Sequence, residues 1–156
     1  MKDKIKDAYE SSKTIYDDVL TQGNVFSKLY IRLFWSGTDD NVIAQKVLSY
    51  IPDDFSGSLL DVPVGTAVFA KNKWISLKNA HITCLDYSRD MLEQAKTRLS
   101  GHTHIQCIQG DVGNLPMKDE IFDIVLSMNG FHAFPDKIKA FQETYRVLKP
   151  GGDFIA

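Results

Sequence analysis

The stretch Leu59-Leu60-Asp61-Val62-Pro63-Val64-Gly65-Thr66-Ala67 decides how the rest of the chain is read. A short apolar run meets a carboxylate and then breaks into small residues, just ahead of a helical pattern. In an open parallel sheet such a strand-to-loop junction is where a nucleotide-like ligand binds, because backbone amides and small side chains there permit close approach.

Downstream of this junction, strand and helix patterns alternate. The spacing predicts strands at 58–63, 81–86, 104–109, 121–128 and 153–156, and helices at about 66–79, 88–100 and 135–148. That alternation argues for a parallel sheet covered by helices on both faces. Met91, Leu92, Ala95 and Leu99 lie on one side of the second helix, and Ile138, Phe141, Tyr145 and Leu148 on one side of the third, so each can seal a sheet face. Asp123 reads as a capping carboxylate at the start of the fourth strand. Arg146, Lys149 and Pro150 read as scaffold at a helix end and turn.

Upstream, residues 3–50 read as three helices, with Ala8, Ser12, Ile15 and Val19 at helical spacing and breaks at Gly23 and Ser36-Gly37. The third is expected to start at Thr38 or Asp39, to present Ile43, Val47 and Tyr50 on one face, and to stop before Pro52.

The chain has 156 residues, 44% hydrophobic and 24% charged, with a net charge of -2. These values suit one globular domain with a real core, and they supply no basic field for a phosphate backbone, so a nucleic-acid partner is not expected. No apolar run approaches the length of a membrane span, so no membrane partner is expected either. Cys84 and Cys107 fall inside apolar strand runs and read as small buried thiols, which together with the missing signal segment points to a cytoplasmic location.

The chemistry-bearing residues sit at strand ends. Asp86 closes the second strand at the roughly 20-residue distance from the glycine loop at which a carboxylate accepts from the vicinal hydroxyls of a ribose. Asp111, in Gln109-Gly110-Asp111-Val112, closes the third strand, where it can accept from an exocyclic amine while the Val112 amide donates to a ring nitrogen. Singly, each is a common turn or cap residue; in order, they describe an adenosine site. A dinucleotide fingerprint is not met, since Pro63, Gly65 and Val68 occupy the G-x-G-x-x-G positions.

At this point the chain resembles the class I S-adenosylmethionine-dependent methyltransferases over residues 40–156, through LLDVPVGTA, ITCLDYSRDMLEQA, IQGDVGNLP, IFDIVLSMNGFHAF and YRVLKPGG. The resemblance implies a Rossmann-like, doubly wound α/β fold with a parallel sheet of order 3-2-1-4-5, the family's C-terminal strands absent, preceded by N-terminal helices. It implies a helical lid over 1–51 and an S-adenosyl-L-methionine-binding domain over 52–156, treated as one unit. By the same resemblance Asp61 and Gly65 flank the methionine moiety with Pro63 in the same loop, and Asp86 holds the ribose. Tyr87 lies near the adenine face, Asp111 and Val112 hold the adenine edge, and Met128 lines the methionine side. The activity implied is methyl transfer to a small-molecule acceptor by in-line displacement.

Two residues depart from the family loop, acidic-x-Gly-x-Gly-x-Gly: Pro63 and Ala67 stand at the first and third glycines. Proline removes an amide donor, and alanine is expected not to supply a positive φ. Weaker or altered cofactor binding follows from both.

No nucleophile is needed for displacement from a sulfonium. His132, in Asn129-Gly130-Phe131-His132, is the sole suggestive base for an acceptor that must lose a proton, and a packed loop histidine is its commoner reading. His102 and His104 have no carboxylate or cysteine at ligand spacing, so no metal is assigned. Tyr9, Tyr16, Phe26, Tyr30, Phe34 and Trp35 suit an acceptor lid or plain helix packing. The segments at 15–17 and 26–30 loosely resemble ubiquinone and menaquinone biosynthesis methyltransferases.

The final apolar run stops four residues in, at Ala156, so a fragment of a longer reading frame is expected, with self-association through the exposed last strand. Against the enzyme stands a different class: a non-catalytic module that binds an adenosyl ligand or serves assembly. A nicotinamide-dependent oxidoreductase is disfavoured by the missing glycines.

Overall fold

The computed structural model describes residues 40–128, 130–131 and 134–156. The helices expected before residue 40, and the aromatic residues on them, lie outside the described residues. Residues Ala44–Ala156 form one compact unit, which holds the sheet.

Helix α1 (Asp40–Leu48) leads to β1 (Ser58–Asp61), α2 (Lys71–Ser76), β2 (His81–Asp86), α3 (Arg89–Arg98), β3 (Ile105–Gln109), β4 (Phe122–Leu126), α4 (Lys137–Val147) and β5 (Leu148–Ile155). The five strands are all parallel in the order β3-β2-β1-β4-β5. This is the Rossmann-like, doubly wound order expected from the resemblance. Strand order reverses between β1 and β4, so right-handed crossovers put α2 and α3 on one face and α4 on the other.

Alternation along each strand feeds the two faces. Leu59, Ile82, Cys84, Ile124 and Leu126 pack with Trp74 and Leu92 in one cluster. Leu60, Leu85 and Val125 pack with Ala140 and Val147 in the other. Strands buried on both faces read as continuous apolar runs, which is why LLD, ITCL and IVL were legible without alternation.

Four details correct the sequence reading. In α1 the buried face is Ala44, Leu48 and Ile51, one position on from the expected face, and Ile43 and Tyr50 are exposed. In α4 the buried positions are Ala140, Thr144 and Val147, while Ile138 and Tyr145 are 73% and 72% exposed. Asp136 fixes that phase, since its side chain caps the helix by accepting from Lys139 N at 3.0 Å. Helix α2 starts five residues later than expected, because Ala67 has φ +60° and a left-handed residue cannot belong to a right-handed helix. Strand β5 begins at Leu148, paired with Phe122, and the Pro150-Gly151-Gly152 segment expected as a turn is a register irregularity within it, with Gly151 at φ +79°.

Asp123 and Arg146 are scaffold, as read. Asp123 accepts from Ser58 N and Lys149 Nζ, both at 2.8 Å, tying together the starts of β1, β4 and β5. Arg146 donates to Glu143, Asp119 and the carbonyls of Leu115 and Met117, which pins the β3–β4 connection to α4.

Candidate functional site at the strand ends

The loops that leave β1, β2 and β3 are laced together at the carboxyl edge of the sheet. Val64 N donates to Leu85 O at 2.9 Å and Gly110 N donates to Asp86 O at 3.0 Å. Asp86 itself is buried at the tip of β2. Its Oδ2 accepts from Gly65 N and its Oδ1 from Ser88 N, each at 2.8 Å. A side chain from the second strand therefore holds the first loop in place.

Within that loop Gly65 has φ +56°, and a Cβ added there would meet nothing within 4 Å. Glycine at this position leaves its backbone open to whatever occupies the crevice. Ala67 takes φ +60°, which corrects the expectation that alanine would not supply a positive φ. The neighbouring backbone holds it there: Ala67 N donates to Val64 O and Ala67 O accepts from Lys71 N, both at 3.0 Å. Arg98 of α3 adds a bond from Nη1 to Thr66 O at 2.8 Å. Pro63 lies against Gly130 of the loop after β4, where any Cβ would run into its ring.

Asp61 is buried, and its Oδ2 accepts from Trp74 Nε1 at 2.9 Å. Burial pushes its carboxyl up to about 7, opposed by the Trp74 bond and aided by the charge of Asp86. Burial also raises Asp86, against bonds from Ser88, Gly65 and Tyr87 amides that favour its charged form. The two buried carboxyls and the glycine loop lie at the carboxyl edge of the sheet beside the point where strand order reverses, the position at which open α/β sheets bind ligands.

The Methyltransferase domain family matches residues 60–156, more than half of the chain. This chain belongs to that methyltransferase family. Over 95 residues it is 41% identical to a demethylmenaquinone methyltransferase from Staphylococcus epidermidis, covering 60% of this chain and 39% of that protein. The chain thus spans about two fifths of that relative's length. A SAM-dependent methyltransferase from Thermotoga maritima superposes with a TM-score of 0.60 at 27% identity, covering 83% of this chain and 56% of that one. The [4+2]-cyclase SpnF superposes with a TM-score of 0.65 at 27% identity, over 73% of this chain and 43% of that one. S-adenosyl-L-methionine is the cofactor of methyltransferases with this family and fold.

The other sequence-predicted residues of the methyltransferase domain stand in different settings. Tyr87 is 58% exposed, with its carbonyl accepting from Gln109 Nε2 at 3.1 Å. Asp111 is exposed, and its Oδ1 accepts from Gly113 N at 2.8 Å. Val112 is buried in the α4 face, and Met128 is half-buried against the opposite cluster. His132 lies outside the described residues. Gly65 and Asp86 are brought into direct contact. Asp61 is turned to Trp74.

The side chains present are acceptors of the kind that a nucleoside's hydroxyl and amine donors require. Asp86 and Asp111 are acceptors at neighbouring strand tips, and the space over Gly65 is open. Trp74, Arg98 and Gly130 were missed from sequence. A lone tryptophan in the polar run Lys71-Asn72-Lys73-Trp74 was the one available signal for the first. Among the described residues no cluster of three or more His, Cys, Asp or Glu could hold a metal, and no helix is long and apolar enough to cross a membrane.

Proposed function

We propose that this chain is the donor-binding part of an S-adenosyl-L-methionine-dependent methyltransferase acting on a small molecule, with 1–51 as its lid segment and 52–156 as the cofactor domain. The carrying observation is the Asp86 carboxylate at the tip of β2, fixed by Gly65 N and Ser88 N beside an open glycine. Both oxygens are oriented by backbone amides, and a carboxylate with about four lone-pair sites keeps acceptor capacity for two vicinal ribose hydroxyls. Tyr87 offers an exposed aromatic face for adenine, and Asp111 with the Val112 amide serves its edge. Asp61, Pro63, Gly65 and Met128 form the methionine side. His132 is the sole candidate base for an acceptor that must lose a proton, and no catalytic residue is assigned beyond it.

The bound donor supplies an already activated methyl group, so these residues only align it and exclude water. The 41% identity to a demethylmenaquinone methyltransferase makes a demethylated quinone the first acceptor to assay. Calorimetric titration with S-adenosylhomocysteine tests the reading: the native chain binds, while Asp86→Ala and the exposed-site variant Tyr87→Ala bind at least about tenfold more weakly, the loss of about 1.4 kcal/mol that one good contact supplies. No binding by the folded native chain overturns it.

A second reading, an adenosyl-binding module without transferase activity, draws on Pro63 and Ala67 at two glycine positions and on the likeness to a cyclase. Binding without methyl turnover on any acceptor assayed favours it.

A further inference from the structure

Cys84 and Cys107 are the only two cysteines of the chain, and the sheet sets them directly opposite each other on β2 and β3. Paired residues of adjacent parallel strands point to the same face, and both thiols pack into the cluster beneath α3. Neighbouring strands lie about 4.8 Å apart, inside the range of roughly 4.4–6.8 Å over which Cα atoms can be bridged by a disulfide. Cys84 is fully buried and Cys107 half-buried on an edge strand.

We infer that Cys84 and Cys107 form an oxidisable dithiol, a modification site for hydroperoxides, in which Cys107 is the attacking thiol and Cys84 the resolving one. The roles follow from the environment. Hydrogen bonding with Cys84 holds Cys107 below the usual thiol range against the opposing effect of burial, with the charge of Lys96 on α3 aiding and that of Glu93 opposing. The same contact, together with burial, pushes Cys84 well above it. The less buried thiol, on the edge strand, is therefore the one that ionises more readily.

The chemistry closes without a further reactant. The Cys107 thiolate attacks the terminal oxygen of the hydroperoxide, the O–O bond breaks, and the leaving alkoxide takes up a proton to become the alcohol. Cys107 is then a sulfenic acid. The Cys84 sulfur attacks the Cys107 sulfur, the S–O bond breaks, and the hydroxyl leaves as water with the Cys84 proton. Two thiols lose two electrons and two protons, and the hydroperoxide is reduced to alcohol and water. A bridge formed here ties β2 to β3 two residues before Asp86 and Gln109, and in the same row as Asp61, which pairs with Cys84. It does not depend on the cofactor reading, since its readout is covalent.

The test treats the folded full chain with hydrogen peroxide, then labels thiols under denaturing conditions and maps peptides. Labelled thiols fall from two to none, and a peptide linking Cys84 to Cys107 appears that dithiothreitol removes. In Cys84→Ser the oxidation stops at a sulfenic acid on Cys107 that a dimedone probe traps, whereas Cys107→Ser leaves Cys84 as a thiol. Native chain that keeps both thiols, or that accumulates sulfinic acid at Cys107 with no linked peptide, overturns the inference whether or not the variants fold.

Discussion

Trp74 donates from Nε1 to Oδ2 of Asp61 at 2.9 Å, and both side chains are at most 2% exposed. The carboxylate at the end of β1 is thus held from inside the core by the helix that follows the glycine loop. Its protonation is thereby a property of the fold.

Asp61 has its carboxyl raised to about 7 from 3.8, so between those values the folded chain holds a proton that the unfolded chain has released. Stability from this group is fully present below about pH 3.8 and is lost as pH rises through 7. Urea unfolding from pH 4 upward is expected to show this decline, set against the opposite contribution of Asp123 and Glu143, whose lowered values favour higher pH. Asp61→Asn keeps an acceptor for Trp74 and removes the titration. The difference in stability between it and the native chain, measured at each pH, should move in favour of the asparagine variant toward pH 8. A difference that stays flat from pH 4 to 8 refutes the assignment.

Trp74→Phe removes the donor and keeps the aromatic bulk. It is expected to cost about 1–3 kcal/mol, the usual penalty for orphaning a buried polar group, and to cost more at pH 8 than at pH 5, where Asp61 is protonated. The Trp74 bond favours the charged form, so its loss raises Asp61 further and moves the end of the pH decline upward. Equal cost at both pH values would show that the bond does not reach the carboxylate.

Ala67 sits at φ +60°, a conformation that costs an L-residue about 1–2 kcal/mol while glycine adopts it freely. Glycine normally weakens a fold through its larger unfolded-state entropy, by about 0.5–1 kcal/mol. At this position the strain relief exceeds that loss, and Ala67→Gly is expected to stabilise the chain by about 0.5–1 kcal/mol. Thermal unfolding checks the sign, and a lower melting temperature than the native chain contradicts it.

Gly130→Ala drives a methyl group into the Pro63 ring and to 3.0 Å from Ser127 Oγ. Overpacking of this kind costs about 1–3 kcal/mol. Pro63→Gly removes the obstacle, so the double variant should lose less than the sum of the two singles. Gly113→Ala, where the nearest atom is Asp111 Oδ1 at 3.4 Å, serves as the tolerated control. Strict additivity in the double variant would show that Pro63 and Gly130 do not touch.

Much of the fold was legible because its signals are local. His81–Asp86 was placed to the residue, since a buried parallel strand reads as an unbroken apolar run ended by a carboxylate. The helix faces were less legible. In α4 the large apolar residues Ile138 and Tyr145 drew the reading, yet the small Ala140 and Thr144 are buried, because close approach of a helix to the sheet selects for size as well as hydrophobicity. Within the site, Asp86 and Gly65 were each legible from motif and spacing, but the 2.8 Å bond that joins them was not, because it depends on the register between β1 and β2. Trp74 could not be paired with Asp61, because no local pattern states which way a strand-end carboxylate turns.

By itself, the sequence determined the alternation of strands and helices, the carboxylates at successive strand ends and the family to which the chain belongs. These follow from side-chain periodicity and from short motifs whose parts are neighbours along the chain. Tertiary structure alone decided that Asp61 faces Trp74, that Cys84 faces Cys107, that Pro63 abuts Gly130 and that Ala67 is left-handed. Each depends on the register between segments far apart in the chain, and register is set only when the whole core packs, so it leaves no signature in any one segment.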